Sequence, residues 1–421
     1  MIGLALCSLV AVGIAGAKEV NGCLIATGTE CPESDLTGLS MEGESLARAD
    51  LHGSVLTRAY ITLSDLTGVN LADATLTLAN ITSTMMAGAT LTGARGDGLY
   101  LGYVGMRRAN ATGSALIDAK FKEVNGVSSN FTDATLTRLT LQGGTWTDAD
   151  FTRADLSGAN LTSTQMRGVV LAQAYFRAAT LQGIDANNAD LRDATLYATS
   201  IRPYDSPSNY SSSTFVGADL TGATIVDSSL TSTDFTRSTL TGLGITDSLV
   251  SGATFSLAEG NVLVIASDLS GKQSSGAYLP NFFTEARLAD SRFVDSDLRG
   301  VNFGQSDLRR TNFSRSNLRG ADFDGADMRG VTLPDSQLAG RPSFGCDRAT
   351  KWSGAYGALF SDYCRTKGKE VVPAWCKTVE YWTEGLCLAC NKICVGGRGA
   401  ITADTAERAP CLARPQGRRG G

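Results

Sequence analysis

Large apolar residues recur at every fifth position of this chain, and that period restricts its fold more than any other feature. Between Leu36 and Ile201 the phase passes through 34 positions, of which 30 carry Leu, Ile, Met, Phe or Trp. The other four, Gly96, Ala111, Gly126 and Ala186, are small enough to enter a narrow interior. After a run of Pro, Ser, Asn and Tyr the step resumes one register off, from Phe215 to Phe255, with all nine positions apolar. After a second interruption it returns from Phe283 to Leu338, where all twelve positions hold Phe, Leu or Met. Neither a helix of 3.6 residues per turn nor a strand of period two keeps a five-residue phase over such a length. The chain must therefore turn once per unit.

Two residues before each large one sits a small one, as in Ser296, Val301, Ser306, Thr311, Ser316, Ala321 and Ala326, and Asp or Asn often precedes the large residue directly. Units such as Ala154-Asp155-Leu156-Ser157-Gly158 and Ala321-Asp322-Phe323-Asp324-Gly325 carry this pattern. Over residues 34–340 the chain resembles the pentapeptide-repeat family. The resemblance implies an all-β fold, a right-handed quadrilateral β-helix in which each unit makes one side of a square and four make a coil. Small residues then fit the corners and large ones fill the centre. With coils about 4.8 Å apart, some 14 of them would build a rod on the order of 65 Å long.

In the last block Phe293, Phe303, Phe313 and Phe323 alternate with Leu298, Leu308, Leu318 and Met328, so Phe columns are expected on two opposite sides of the core and aliphatic columns on the other two. Volume matching of this kind is what a close-packed square bore needs. Outside, Arg299 should stack below Arg319 and Arg309 below Arg329, beside Asp297, Asn317, Asp307 and Asp327. Such acid rows offset like-charge repulsion along each Arg ladder.

The interruptions read as loops. Residues 202–214 carry two prolines and a polar run; residues 256–282 include Val262-Leu263-Val264-Ile265, enough for a strand that pairs with or covers the rod. Six N-x-S/T sequons occur, at Asn80, Asn110, Asn130, Asn160, Asn209 and Asn312. Only Asn209 is expected in a loop, where a glycan would fit.

The ends abandon the repeat. Residues 1–17 run apolar from Leu4 to Ile14 and finish Ala15-Gly16-Ala17, the small-x-small form of a signal-peptidase site, although the segment starts without Lys or Arg. Export is the expectation. The stretch is short for a membrane span and no other window offers one. Residues 18–33 form an expected N-terminal cap stapled by Cys23 and Cys31. Residues 341–421 form a Cys-rich module with a basic flexible tail, containing Cys346, Cys364, Cys376, Cys387, Cys390, Cys394 and Cys411. In an oxidising compartment these favour a disulfide framework. Cys387, Cys390 and Cys394 also have the spacing of half a zinc site. Open β-helix ends invite association unless capped, so a homodimer through an end cap is a further possibility.

Charge divides the chain at the same boundary. Residues 1–340 hold 24 Lys+Arg and 35 Asp+Glu, giving −11, and residues 341–421 hold 13 and 7, giving +6. Neither half gathers the basic stripe of a nucleic-acid binder. With His52 as its single histidine, and with neither a nucleophile elbow nor a phosphate loop, the sequence argues against an enzyme and assigns no catalytic residue and no cofactor. The expected function is an exported, non-catalytic scaffold with an unidentified protein partner. By resemblance, the alternative is a DNA-mimicking protein acting on a topoisomerase such as gyrase, which should be cytoplasmic and strongly acidic. Ice or surface binding is a third reading, but the Thr pairs at Thr75/Thr77, Thr90/Thr92, Thr135/Thr137 and Thr239/Thr241 do not stack on successive coils of one face.

Overall fold

A computed structural model of the protein describes residues 18–250, 253–260, 262–265, 267, 269, 283–319, 321–323, 325–333 and 336. The described residues are all β and turn, with no helix. Strands of three or four residues, from Ser40–Glu42, Tyr60–Thr62 and Asn80–Thr82 onward, stack in parallel into a sheet of 13 strands that ends at Arg292–Val294. From Ser40–Glu42 to Ser200–Arg202 the pairing is in register at a constant interval: Met41 lies beside Ile61, Ile61 beside Ile81, and Ile81 beside Leu101. The other three sides are held by single bridges at the same interval, among them Ser45 to Asp65, Asp50 to Asn70 and Val55 to Thr75. Four sides in each such interval make the coil quadrilateral.

Each position of the five-residue unit has a physical role. The large residue points to the axis, and Leu46, Leu51, Leu56 and Ile61 are fully buried. Its carbonyl accepts the amide three residues on, as from Ala49 to Leu46 and Ser54 to Leu51, which closes the turn. The residue two after the large one takes positive φ, at Arg48 and Arg58 as much as at Gly53. Left-handed backbone costs an L-residue roughly 1–2 kcal/mol. It persists here because the corner amide is tied to the coil above, as Arg48 donates to the Thr67 carbonyl at 2.8 Å.

Asp or Asn before the large residue closes a local turn with its side chain: Asp65 Oδ1 accepts the Thr67 amide at 2.9 Å, and Asn130 Oδ1 the Thr132 amide at 2.8 Å. Several buried Ser and Thr at the small position reach across coils. Thr199 Oγ1 donates to the Phe176 carbonyl at 2.6 Å and Ser316 Oγ to the Phe293 carbonyl at 2.8 Å, so these two hydroxyls enter the core with partners.

Both interruptions are narrower than the sequence suggests. Of residues 202–214, the coil has resumed by Ser208–Asn209, and Tyr210 fills the axis at 1% exposure. Burial pushes its phenol well above the ordinary tyrosine value. Asp185 pairs with Asn209, where the regular interval would end at Asp205, so only four residues are extra. Tyr210 was obscured because the surrounding Ser, Asn and Pro read as loop. Asn209 is consequently a rung of the ladder and not a loop residue; its Oδ1 accepts the Ser211 amide at 3.0 Å and its Nδ2 donates to Asp185 Oδ1 at 3.2 Å.

In the second interruption, Val262–Ile265 is a strand of the main sheet, between Leu243–Thr246 and Arg292–Val294. Gly260 and Leu269 also keep places in the coil, through Gly260 to the Arg287 carbonyl and Leu269 to the Asp297 carbonyl. The break thus excludes residues 256–260 and 262–265, and the insertion falls between Leu269 and Phe283.

Candidate functional site

The N-terminal end is closed by side chains as well as strands. Lys18–Val20 and Cys23–Ile25 form an antiparallel hairpin around Asn21-Gly22, both at positive φ, the dipeptide that a two-residue hairpin turn favours. That signal was readable in the sequence, but the cysteines alone drew the reading. Asn21 Nδ2 donates to the Asp35 carbonyl at 2.7 Å and Lys18 Nζ to the Ser40 carbonyl, covering acceptors on the open edge of the first coil. Cys23 and Cys31 are placed as a bonded pair, with Cα atoms 5.6 Å apart.

Polar chemistry on the sides of the rod is dispersed and paired. His52 Nδ1 meets Asp50 Oδ1 at 3.0 Å, and the same oxygen accepts from Asn70 Nδ2 at 2.8 Å. Burial acts to raise the Asp50 pKa, but the hydrogen bonds from His52 and Asn70 outweigh it and the carboxyl lies below its ordinary value. No Ser, Thr or Cys nucleophile is bonded to this imidazole among the described residues.

A second pairing joins successive coils at the corners. Arg138 and Arg153 grip Asp118 and Asp133 through two nitrogens each, and Arg310 and Arg315 grip Asp290 and Asp295 in the same way. These hydrogen bonds hold the four carboxyls below the usual carboxylate range. Arg299, Arg309 and Arg329 instead bond the Asp two residues earlier on their own coil. The ladder of Arg309 and Arg329 is therefore neutralised at both rungs, and Arg299 in the other ladder is paired with Asp297.

One edge of the rod departs from this neutral pattern. Its corner residues, each one coil further on, are Leu63, Ser83, Tyr103, Glu123, Gly143, Ser163 and Gly183, all at positive φ. At the first coils Leu63 and Tyr103 are more than half exposed, Tyr60 and Met85 are exposed on the sides that flank this corner, and Leu78 is exposed at the neighbouring corner, against Gly98. Lys122 Nζ lies 5.8 Å from the centre of the Tyr103 ring. Five of the large exposed apolar side chains thus fall between residues 60 and 103, the clustering that marks an interaction surface.

Further along the edge is a trough of about 390 Å³, lined by Glu123, Gln142, Gly143, Gly144, Thr145, Ser163, Gln165, Tyr204 and Asp205. Its floor is low because two of three successive corners are glycine. The Glu123 carboxylate lies across Gly143, in the space a β-carbon would need, and the four-residue insertion folds over Gly183, with Tyr204 Cβ 3.2 Å from the corresponding point. Neither edge feature was identified in the sequence. Finding them requires reading every twentieth residue as a column.

The core residues Phe293, Leu298, Phe303, Leu308, Phe313, Leu318, Phe323 and Met328 are all fully buried. Phe293 stacks on Phe313 at 5.3 Å and Phe303 on Phe323 at 5.2 Å. Cys346, Cys364, Cys376, Cys387, Cys390, Cys394 and Cys411 lie outside the described residues, as does the segment 1–17. Among the described residues no cluster of three or more His, Cys, Asp or Glu has a metal-binding arrangement, and no helix is long and apolar enough to cross a membrane.

Compared with curated proteins, the chain matches none. Among solved structures it is similar to HetL, a pentapeptide repeat protein involved in heterocyst differentiation regulation from the cyanobacterium Nostoc sp. strain PCC 7120, at 20% identity over 66% of this chain and 91% of that one, TM-score 0.17. It is also similar to QnrB1, a plasmid-mediated fluoroquinolone resistance protein, at 15% identity over 61% and 97%, TM-score 0.22. A third is the A-module of the Azotobacter vinelandii mannuronan C-5 epimerase AlgE6, at 11% identity over 78% and 90%, TM-score 0.25. At such scores these likenesses carry no argument about activity or partner. The family model for pentapeptide repeats matches eight copies, within residues 30–68, 62–95, 136–173, 170–202, 211–242 and 296–335. With that match and a four-sided coil of five-residue units, the chain belongs to the pentapeptide-repeat family.

Proposed function

We propose that the protein is an exported, non-catalytic rod that acts as a structural or protein-interaction scaffold. The observation that carries this reading is the set of exposed apolar side chains on the early coils, Tyr60, Leu63, Met85 and Tyr103 at or beside one corner and Leu78 at the neighbouring corner, held on a rigid coil whose other polar groups are largely paired locally. Association through such a patch costs little ordering, because the backbone beneath it is fixed in the ladder. Export is supported by the apolar segment ending Ala15-Gly16-Ala17 and by the juxtaposed Cys23 and Cys31, which suit an oxidising compartment. In this reading the Cys-rich residues 341–421 form a disulfide-linked module that docks or dimerises at the far end, with zinc at Cys387, Cys390 and Cys394 as the reduced alternative. The Arg–Asp clamps argue against a DNA mimic, since they interrupt the acidic surface that mimicry needs. No effect on gyrase supercoiling is expected.

The test combines two measurements on protein from its native host. Intact mass with and without reduction and alkylation should show a chain beginning at Lys18 with most cysteines oxidised. Cross-linking should recover a partner with the native chain that is lost on combining Leu63→Asp with Tyr103→Asp. An unprocessed chain with free thiols would overturn export, and a cross-linking profile unchanged by the double substitution would overturn docking at the corner.

A further inference from the structure

The trough beside Tyr204 has a chemistry unlike that of the apolar corner on the same edge, and it is formed by the two local irregularities of this stretch. Glycine at Gly143 lets the Glu123 carboxylate lie across that corner as part of the lining, and the four extra residues after Arg202 fold over the Gly183 corner and raise Tyr204 and Asp205 as an end wall. With the floor running over three coils at about 4.8 Å each, the recess extends roughly 14 Å along the rod from Glu123 to the Tyr204 loop.

We infer that this trough binds a short neutral oligosaccharide, lying along the rod axis with one ring against Tyr204. Four features select that class. None of the lining residues is cationic, so phosphate, sulfate or uronate has no counter-charge. Glu123 and Asp205 accept hydrogen bonds, and the carboxamides of Gln142 and Gln165 and the hydroxyls of Thr145 and Ser163 both donate and accept, which suits a row of sugar hydroxyls. Tyr204 is 56% exposed, leaving an aromatic face free to take the apolar face of a pyranose. Lastly, the volume lies within the range of small-ligand sites, yet the lining lacks the apolar walls of a site for hydrophobic ligands. The glycan would sit beside the protein-docking corner without using it, so this assignment stands independently of the scaffold reading.

The test is calorimetric titration of the full chain with neutral tetrasaccharides of β-1,4-linked glucose, β-1,3-linked glucose and α-1,4-linked glucose, and with tetralysine as a cationic control. Tyr204→Ala removes the stacking face from a surface loop. Ser163→Arg fills the floor, and it is compatible with folding because Arg138 and Arg153 already occupy corners of the same positive φ. The expected result is a millimolar or tighter Kd for at least one tetrasaccharide, weakened about tenfold by Tyr204→Ala and abolished by Ser163→Arg, with unchanged circular dichroism. Absence of binding to every sugar, sugar binding that neither variant alters, or binding of tetralysine alone would each overturn it; the last would assign the trough to a basic peptide.

Discussion

Residues 36–201 and 208–333 build the same coil by different means. In the first stretch every rung follows the last at one interval, as in Asp50 to Asn70 to Thr90, and the core is mainly Leu, Ile and Met. In the second the interval varies: Thr214 pairs with Asp234, Leu243 with Val262, Glu259 with Arg287 and Leu263 with Arg292. The core column is nonetheless continuous, for Phe215, Phe235, Phe255, Phe283, Phe303 and Phe323 stack at 4.9, 4.7, 4.4, 5.0 and 5.2 Å. The 4.4 Å contact, with rings 3° from parallel, spans the larger insertion. The comparison teaches that the axial column, and not the length of chain between rungs, defines register. The column stays unbroken across the larger insertion, because a lost ring would leave a void that the rigid square bore cannot close.

The largest effect on this comparison is expected from Phe255→Ala, which removes the ring joining the coils on either side of the insertion. A loss of about 3–5 kcal/mol is predicted, read from urea unfolding. Amide exchange in residues 208–333 should rise before that in residues 36–201. Equal exchange in both stretches would show that the aromatic column has no special part in holding the interrupted half.

Next comes Gly126, one of the small residues in the aliphatic phase. A β-carbon there would collide with the Trp146 ring one coil on, so the glycine makes room for an oversized neighbour. Gly126→Leu should cost about 1–3 kcal/mol by overpacking, and Trp146→Leu in the same chain should restore part of it. Additive losses in the double variant would contradict that volume exchange.

Deleting residues 203–206 restores the regular rung interval at the first interruption. Because loop length has only a weak effect on stability, the melting midpoint should change by the equivalent of about 1 kcal/mol or less. A larger loss would mean that the loop braces the coil.

The smallest effect belongs to the corner clamps. Asp290 and Asp295 have lowered pKa values, from the hydrogen bonds donated by Arg310 and Arg315. Their stabilisation is therefore complete above the unfolded value of about 3.9 and lost as pH falls through the lower folded value. Asp290→Asn combined with Asp295→Asn should change the thermal midpoint near the limit of detection at neutral pH and flatten its decline below about pH 4. A melt as acid-sensitive as that of the native chain would remove these pairs from the account.

The fold was legible because each unit repeats one physical instruction, and Ala321-Asp322-Phe323 states it in three residues: corner, turn-closing acid, core. Legibility failed where composition overruled position. Tyr210 among serines looked like loop, and although Val262–Ile265 reads as a strand that pairs with or covers the rod, its place in the repeat was hidden because Gly260, without a side chain, stands where the phase calls for a large residue. The edge from Leu63 to Gly183 was hidden for another reason. Neighbours across coils are separated in the chain by a full turn of the square, so an apolar corner or an empty trough leaves no local cluster in the sequence.

The central claim is that the coil continues in register through the larger insertion, and the Glu259–Arg287 rung tests it most directly. These residues bridge across the inserted chain, and their side chains meet at 3.2 Å. In a chain carrying Glu259→Cys and Arg287→Cys, mild oxidation followed by unreduced proteolysis and mass spectrometry should yield one peptide pair joined between those positions. Recovery of both cysteines unlinked, from protein with native circular dichroism, would contradict the register and with it the continuous rod.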